Sequence, residues 1–352
     1  MLINARFLTR QATGVDRFAI ELLQSAAAQG LLPDAEAVVP EAATLVGEPL
    51  AGLPLRRAGR HGGHRWEQFE LPRLAGERPL VNLCNSAPLR HQRQLAVIHD
   101  AAAVANPENY GFAFRRWYAV MLGSVMRRAR VIATVSRFSA SELQRHFGLP
   151  YLGIEVLPEG GEHILRLPAD PTVFERLELK GRRYVLAVGS QSRNKNFAAV
   201  LDAMARIDDP DLVLVAAGGG NTRIFTGTAV EHARLQRTGY VSDQQLRALY
   251  EGAACFVFPS FYEGFGLPPL EAMCCGCPVV VSDRASLPEV CGDAALYCDP
   301  DDPATLAAQL RRVLGSPALA QELREAGLRR AATLTWTRAA REFADLMDLH
   351  FV

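Results

Sequence analysis

Short apolar runs alternate along this chain with longer stretches in which apolar positions recur at helical spacing. Runs of the first kind fit buried strands, and stretches of the second fit the inner faces of helices. In the first half, strands are expected at Leu2–Leu8, Ala35–Val39, Leu80–Leu83, Leu95–His99, Val131–Val135 and Ile154–Leu157. Helices are expected at Val15–Ala28, Phe112–Arg128 and Ser139–Phe147. A second series has strands at Tyr184–Val188, Leu212–Ala216, Thr238–Tyr240, Cys255–Phe258, Pro278–Val281 and Ala295–Tyr297. Between them fall helices at Phe197–Arg206, Asp243–Glu251, Pro268–Cys275 and Pro303–Leu314. Such alternation is the sequence form of βαβ units around parallel sheets, so the expected class is α/β, with two doubly wound domains in tandem.

Glu159-Gly160-Gly161 through Pro168 to Pro171 lacks periodicity and reads as the connector between domains. The expected division is 1–166 and 167–337, with 338–352 as a final helix. At 352 residues the chain can bury two cores. Its formal net charge of zero argues against bulk association with nucleic acid. No apolar run approaches a membrane span and no leader pattern opens the chain, which favours the cytoplasm. Seven cysteines, with Cys274, Cys275 and Cys277 clustered, suggest packing residues rather than a disulfide framework, and no zinc-ligand spacing is evident. Of 38 Lys and Arg, only Lys180 and Lys195 are lysine, which draws the eye to Lys195 inside a motif.

That motif and one other carry the chemistry. The strand ending at Phe258 runs through Pro259-Ser260-Phe261-Tyr262-Glu263-Gly264-Phe265-Gly266 into a helix opening Leu267-Pro268-Pro269-Leu270-Glu271-Ala272-Met273. Proline suits a helix start, glycine lets backbone approach a ligand, and a helix N-terminus favours anions. Upstream, Val188-Gly189-Ser190-Gln191-Ser192-Arg193-Asn194-Lys195-Asn196 places a basic loop between a strand and a helix. Arginine can grip phosphate bidentately, whereas lysine acts as a point charge. Val97-Ile98-His99-Asp100 puts an imidazole and a carboxylate just past a strand, where they could hydrogen-bond a hydroxyl or move a proton. Gly14, in Thr13-Gly14-Val15, lies between the first strand and helix, and Gly218-Gly219-Gly220 follows a strand of the second series. Ser242, after Gly239-Tyr240-Val241, is a candidate helix N-cap.

The phrase from Ser260 to Met273, followed by Gly276-Cys277-Pro278-Val279-Val280, resembles the signature of the retaining GT-B glycosyltransferases of the family 4 class, with its E-x7-E pair at Glu263 and Glu271. The resemblance implies two Rossmann-like domains facing an interdomain cleft, with the second binding a nucleotide-sugar. It implies that Glu263 holds sugar hydroxyls and developing positive charge, and that Glu271 accepts from ribose hydroxyls. Gly264, Phe265, Gly266 and Leu267 would offer amides to sugar and phosphate. Lys195 and Arg193 would hold the diphosphate, although Asn194 is inserted relative to the family's pattern and leaves Arg193 one place early. His99 and Asp100 resemble an H-D element that contacts the transferred sugar, Gly14 and Gly189 resemble donor-loop glycines, and backbone at Tyr240 and Val241 would meet the base. In the family, a tryptophan at the place of Trp336 marks the return of the chain to the first domain.

The implied reaction is transfer of a hexose or deoxyhexose, mannose among them, from a nucleotide diphosphate sugar to a glycan or lipid-linked oligosaccharide. No cofactor and no metal are expected, with Asp299-Pro300-Asp301-Asp302 read as an acidic turn. The basic segment Arg56–Arg65 is either a solvated loop or a contact for an anionic headgroup or a lipid-linked diphosphate at the inner membrane. A nucleotide-sugar epimerase on the same fold and a non-catalytic sugar-nucleotide-binding subunit remain as alternatives. A phosphorylase would need a lysine for pyridoxal phosphate, and a Rossmann dehydrogenase would need a G-x-G-x-x-G after the first strand.

Overall fold

The computed structural model describes residues 1–106, 111–148, 153–189, 192–218 and 234–351. It divides into two units. The first is Met1–Glu159 together with the chain from Trp336 onward, and the second is Gly160–Thr335. The break therefore falls at the front of the glycine-rich stretch, where a boundary after residue 166 was expected.

The first unit holds β1 (Leu2–Asn4), β2 (Glu36–Val39), β3 (Leu55–Arg57), β4 (Leu80–Asn82), β5 (Gln94–Val97), β6 (Val131–Thr134) and β7 (Ile154–Val156). They form one sheet in the order β3-β2-β1-β4-β5-β6-β7, and every adjacent pair is parallel. The second unit holds β8 (Tyr184–Val188), β9 (Val213–Ala217), β10 (Leu235–Gly239), β11 (Cys255–Phe258), β12 (Val279–Ser282) and β13 (Ala295–Cys298), ordered β10-β9-β8-β11-β12-β13, again all parallel. Central strands such as β11 and β12 are buried at every position, as strands covered on both faces must be. In each sheet the winding reverses beside the first strand, between β1 and β4 and between β8 and β11. In doubly wound sheets the loops leaving such a pair diverge and leave a crevice at the strands' C-terminal ends.

The basic segment is not a plain loop. Leu55–Arg57 adds an edge strand beside β2, and Gly63–Phe69 is a helix. Trp66 explains why: it is fully buried among Leu2, Val38, Leu71 and Leu80, and its indole N–H donates to Ala58 O at 2.8 Å. Gly59 sits at φ 95°, where a Cβ would lie 2.6 Å from the Trp66 ring nitrogen. The apolar run Leu2–Leu8 likewise stops as a strand at Asn4 and continues as a 3-10 turn, Arg6–Thr9, that buries Phe7 and Leu8. In the second unit the helices Leu287–Cys291 and Pro317–Ala331 lie beyond those expected.

The last helix, Trp336–Phe351, packs on helix Gly14–Ala28 of the first unit. Trp336 meets Phe18 edge-on at 5.9 Å, Gln29 Nε2 donates to Thr337 O at 3.2 Å, and Arg93 Nη2 donates to Phe351 O at 2.7 Å.

Candidate active site

The site in the second unit is built at its switch point. β8 is followed by Gly189, whose φ of 146° only glycine adopts comfortably. Gly218, at the end of β9, approaches so closely that a Cβ there would lie 2.4 Å from Gly189 O. Ser190, Gln191, Gly219 and Gly220, named above in the two glycine motifs, lie outside the described residues. Arg193–Lys195 then makes one 3-10 turn, and Asn196, in the left-handed region at φ 53°, turns the chain into helix Phe197–Ala205. The Asn196 side chain donates to Pro300 O at 2.7 Å. Gly189, Lys195, Phe197, Gly218, Arg237 and Phe258 line a hollow at these strand ends.

From the other side of the switch point, β11 delivers Glu263. Lys195 Nζ donates to Glu263 Oε1 at 2.7 Å and to Oε2 at 2.9 Å. The same ammonium stands 4.8 Å from the centroid of the Phe258 ring, a cation–π distance. Asn194 ties the two loops together, because its carbonyl accepts from Phe261 N at 2.8 Å and its side-chain amide donates to Tyr262 O at 3.3 Å. The inserted residue thus has a structural purpose. Arg193, its neighbour, is exposed on the turn.

Glu263 is followed by the glycine turn and helix Leu267–Cys274. Gly266 holds φ 107°, and a Cβ there would lie 2.7 Å from Leu287 Cδ2. Ser286 Oγ donates to Phe265 O at 2.6 Å and to Glu263 O at 3.0 Å, fixing the turn from below. Pro268 and Pro269 bring no N–H to the helix start. The amide donors that the resemblance implies must therefore come mainly from Gly264 to Leu267.

Glu271, in the same helix, is buried with 8% exposure and does not line the hollow. Its Oε1 accepts from His163 Nε2 at 2.9 Å and its Oε2 from the Tyr250 hydroxyl at 3.0 Å. Burial, and then the neighbouring carboxylate, push the Tyr250 phenol well above its ordinary range, so it stays a donor. Neither partner was evident beforehand. Tyr240 is 76% exposed just beyond β10, and Val241 is half-buried beside Ser242, whose Oγ caps helix Asp243–Gly252 by accepting from Gln245 N at 3.2 Å.

The remaining candidates lie in the first unit, with Gly14 after β1 at its switch point and His99 and Asp100 after β5, the strand beyond β4. His99 is buried: Nε2 donates to Leu83 O at 2.9 Å, Nδ1 lies 3.6 Å from Glu159 Oε1, and the ring meets Phe18 edge-on at 4.8 Å. Both ring nitrogens are thus directed at protein groups. Asp100 Oδ1 accepts from Ala102 N at 2.8 Å. Gly14 is the first residue of helix Gly14–Ala28, after Thr13, and a Cβ there would meet nothing within 4 Å. A hollow of this unit is lined by Arg6, Arg10, Arg60 and His61. Arg6 pairs with buried Glu67 and Arg10 with buried Asp16, each at 2.5 Å. Among the described residues no cluster of His, Cys, Asp or Glu is arranged to hold a metal, and no helix is long and apolar enough to cross a membrane.

Comparison with known proteins agrees with this architecture. The family described as glycosyl transferases group 1 matches residues 170–330, most of the second unit. The chain is 34% identical over 261 residues to "O-antigen chain mannosyltransferase B" of Escherichia coli, covering 71% of this chain and 68% of that protein. It is 33% identical to "MMP alpha-(1->4)-mannosyltransferase" of Mycolicibacterium hassiacum, over 64% of this chain and 56% of that protein. Among solved structures, a sucrose-phosphate synthase from Thermosynechococcus elongatus superposes with a TM-score of 0.78 at 21% identity, covering 99% of this chain and 98% of that one. Anabaena HepE in complex with UDP and glucose gives 0.72 at 15%, over 99% and 98%. At such identities the likeness is one of fold, and that fold is GT-B. With sequence and fold in accord, this chain belongs to the group 1 glycosyl transferases.

Proposed function

We propose that the chain is a retaining glycosyltransferase that moves a mannosyl residue from a nucleotide diphosphate sugar to a hydroxyl of a growing glycan. The observation that carries this reading is the Lys195–Glu263 pair at the switch point of the second sheet, beside a glycine-lined hollow. Lys195 would neutralise charge gathering on the departing diphosphate as the bond to the anomeric carbon breaks. Glu263, released from Lys195, would accept from sugar hydroxyls and face the developing positive charge at that carbon. The acceptor oxygen forms the new bond, and its proton leaves on a phosphate oxygen or to solvent. Glu271 would accept from the ribose of the donor.

Mannose is favoured by the names of the relatives, and a nucleotide diphosphate donor by UDP in HepE. The acceptor is assigned to the first unit, where Arg6, Arg10, Arg60 and His61 line a hollow. Lys195 and the amides before helix Leu267–Cys274 would do the work of a metal, so chelators should leave the rate unchanged. We place the protein in the cytoplasm, in peripheral contact with the membrane that carries a lipid-linked acceptor. The test is a thermal-shift screen of GDP, UDP, ADP and CDP, followed by transfer from the matching mannose donor with NMR of the product anomer. An inverted anomer would sink the retaining assignment, and sugar isomerised without an acceptor would reveal an epimerase.

A further inference from the structure

Three segments far apart in sequence converge on one buried carboxylate. Glu271 comes from helix Leu267–Cys274, His163 from the 3-10 turn Glu162–Leu165, and Tyr250 from helix Asp243–Gly252. All three side chains are buried, with Tyr250 wholly so. Each carboxylate oxygen receives one of the two inner donors, His163 on Oε1 and Tyr250 on Oε2. The turn carrying His163 can lie this close because residue 161 is glycine. A Cβ there would stand 2.8 Å from both Leu270 Cγ and Cys274 Sγ.

A carboxylate held at both oxygens cannot rotate about its last torsion without breaking a buried bond, which is costly. Each ionised carboxylate oxygen offers two acceptor directions. A planar pair of fixed acceptors is the natural partner for two adjacent hydroxyl donors, and an acidic side chain on ribose hydroxyls is a recurring solution in nucleotide-binding sheets. A site built to bind a hydroxyl rejects the analogue that lacks it, because its own polar group is then left unpaired.

We propose that His163 and Tyr250 are positioning residues that hold Glu271 for the ribose diol of the donor, and that this clamp makes the enzyme select ribonucleotides over 2′-deoxyribonucleotides. The inference rests on the reading of Glu271 as the ribose contact. It adds two residues and a form of selectivity that the resemblance does not contain.

The test measures dissociation constants by calorimetry on the full chain. The probe is whichever of GDP, UDP and ADP binds most tightly, together with its 2′-deoxy counterpart. The wild type is expected to favour the ribonucleotide by at least ~10-fold. Tyr250→Phe and His163→Leu should shrink that ratio towards unity and raise the donor KM by a larger factor than they lower kcat. His163→Gln, which keeps an N–H to offer, should restore much of the preference. Loss of stability alone would weaken both nucleotides alike and leave the ratio in place. A full ratio in Tyr250→Phe and His163→Leu would overturn the positioning role while leaving the ribose contact intact. If His163→Leu fails to fold, Tyr250→Phe decides. Equal binding of both nucleotides by the wild type would overturn the ribose reading itself, and this inference with it.

Discussion

The Lys195 ammonium bridges both carboxylate oxygens of Glu263, at 2.7 Å and 2.9 Å, although 68 positions separate the two residues in sequence. Each thus satisfies the other's charge. In the proposed reaction, a diphosphate arriving at Lys195 would compete with Glu263 and free it at the same time. Glu263→Gln should therefore bind the preferred nucleoside diphosphate at least as tightly as the wild type while losing about 100-fold or more in turnover. Calorimetry and initial rates on one preparation check this, and weaker nucleotide binding would contradict the exchange.

Lys195→Ala should lose turnover by about 100-fold or more, because it removes the charge proposed to neutralise the leaving group. It also leaves Glu263 partly buried without its cation, so nucleotide affinity should fall as well. Steady-state kinetics with a melting curve separates this from unfolding, and near-normal kcat would refute the role.

Alkali should destabilise the second unit. Burial pushes the thiols of Cys274, Cys291 and Cys298 from an ordinary value near 9 up to about 12. A thiol whose folded pKa is raised stabilises the fold fully below the unfolded value, and that stability is lost as pH climbs towards the folded one. Between pH 9 and 12 each such thiol should cost about 1.4 kcal/mol per pH unit, an order-of-magnitude figure. Circular dichroism against pH checks this, and a flat profile through pH 11 would contradict it.

Replacing Trp336 with alanine should destabilise the first unit by about 3–5 kcal/mol, since the indole is fully buried against Phe18. All three tryptophans, Trp66, Trp117 and Trp336, lie in that unit. Indole fluorescence during urea unfolding therefore reports on it alone. A midpoint unchanged from wild type would show that the helix Trp336–Phe351 is dispensable there.

Gly161→Ala should lower the melting temperature and weaken nucleotide binding together. A methyl group at that place must displace Leu270 or Cys274, at a cost of about 1–3 kcal/mol, and carries His163 with it. Thermal melting with and without nucleotide is the check.

Much of this was legible in the residues. β8, β11 and the helices after them announce themselves as apolar runs between glycine and proline, and the acid-bearing phrase points to where chemistry is proposed. The edge strand Leu55–Arg57 escaped because an edge needs only one apolar face, and two of its three residues are exposed arginines. The helix Gly63–Phe69 escaped because Trp66, not periodicity, holds it in place. His163 and Tyr250 escaped for a different reason. A glycine-rich run looks like a linker when what demands the glycine is a neighbour more than a hundred residues away. Glu263 and Lys195 were each recognisable, but their pairing belongs to the folded chain.

Because the first unit borrows the helix beginning at Trp336, it stays incomplete on the ribosome until that helix has emerged. The second unit, Gly160–Thr335, is made in between. The ends of the first unit are thus made at opposite ends of synthesis, and the Phe18 side of its helix stays uncovered until the chain from Trp336 onward is made.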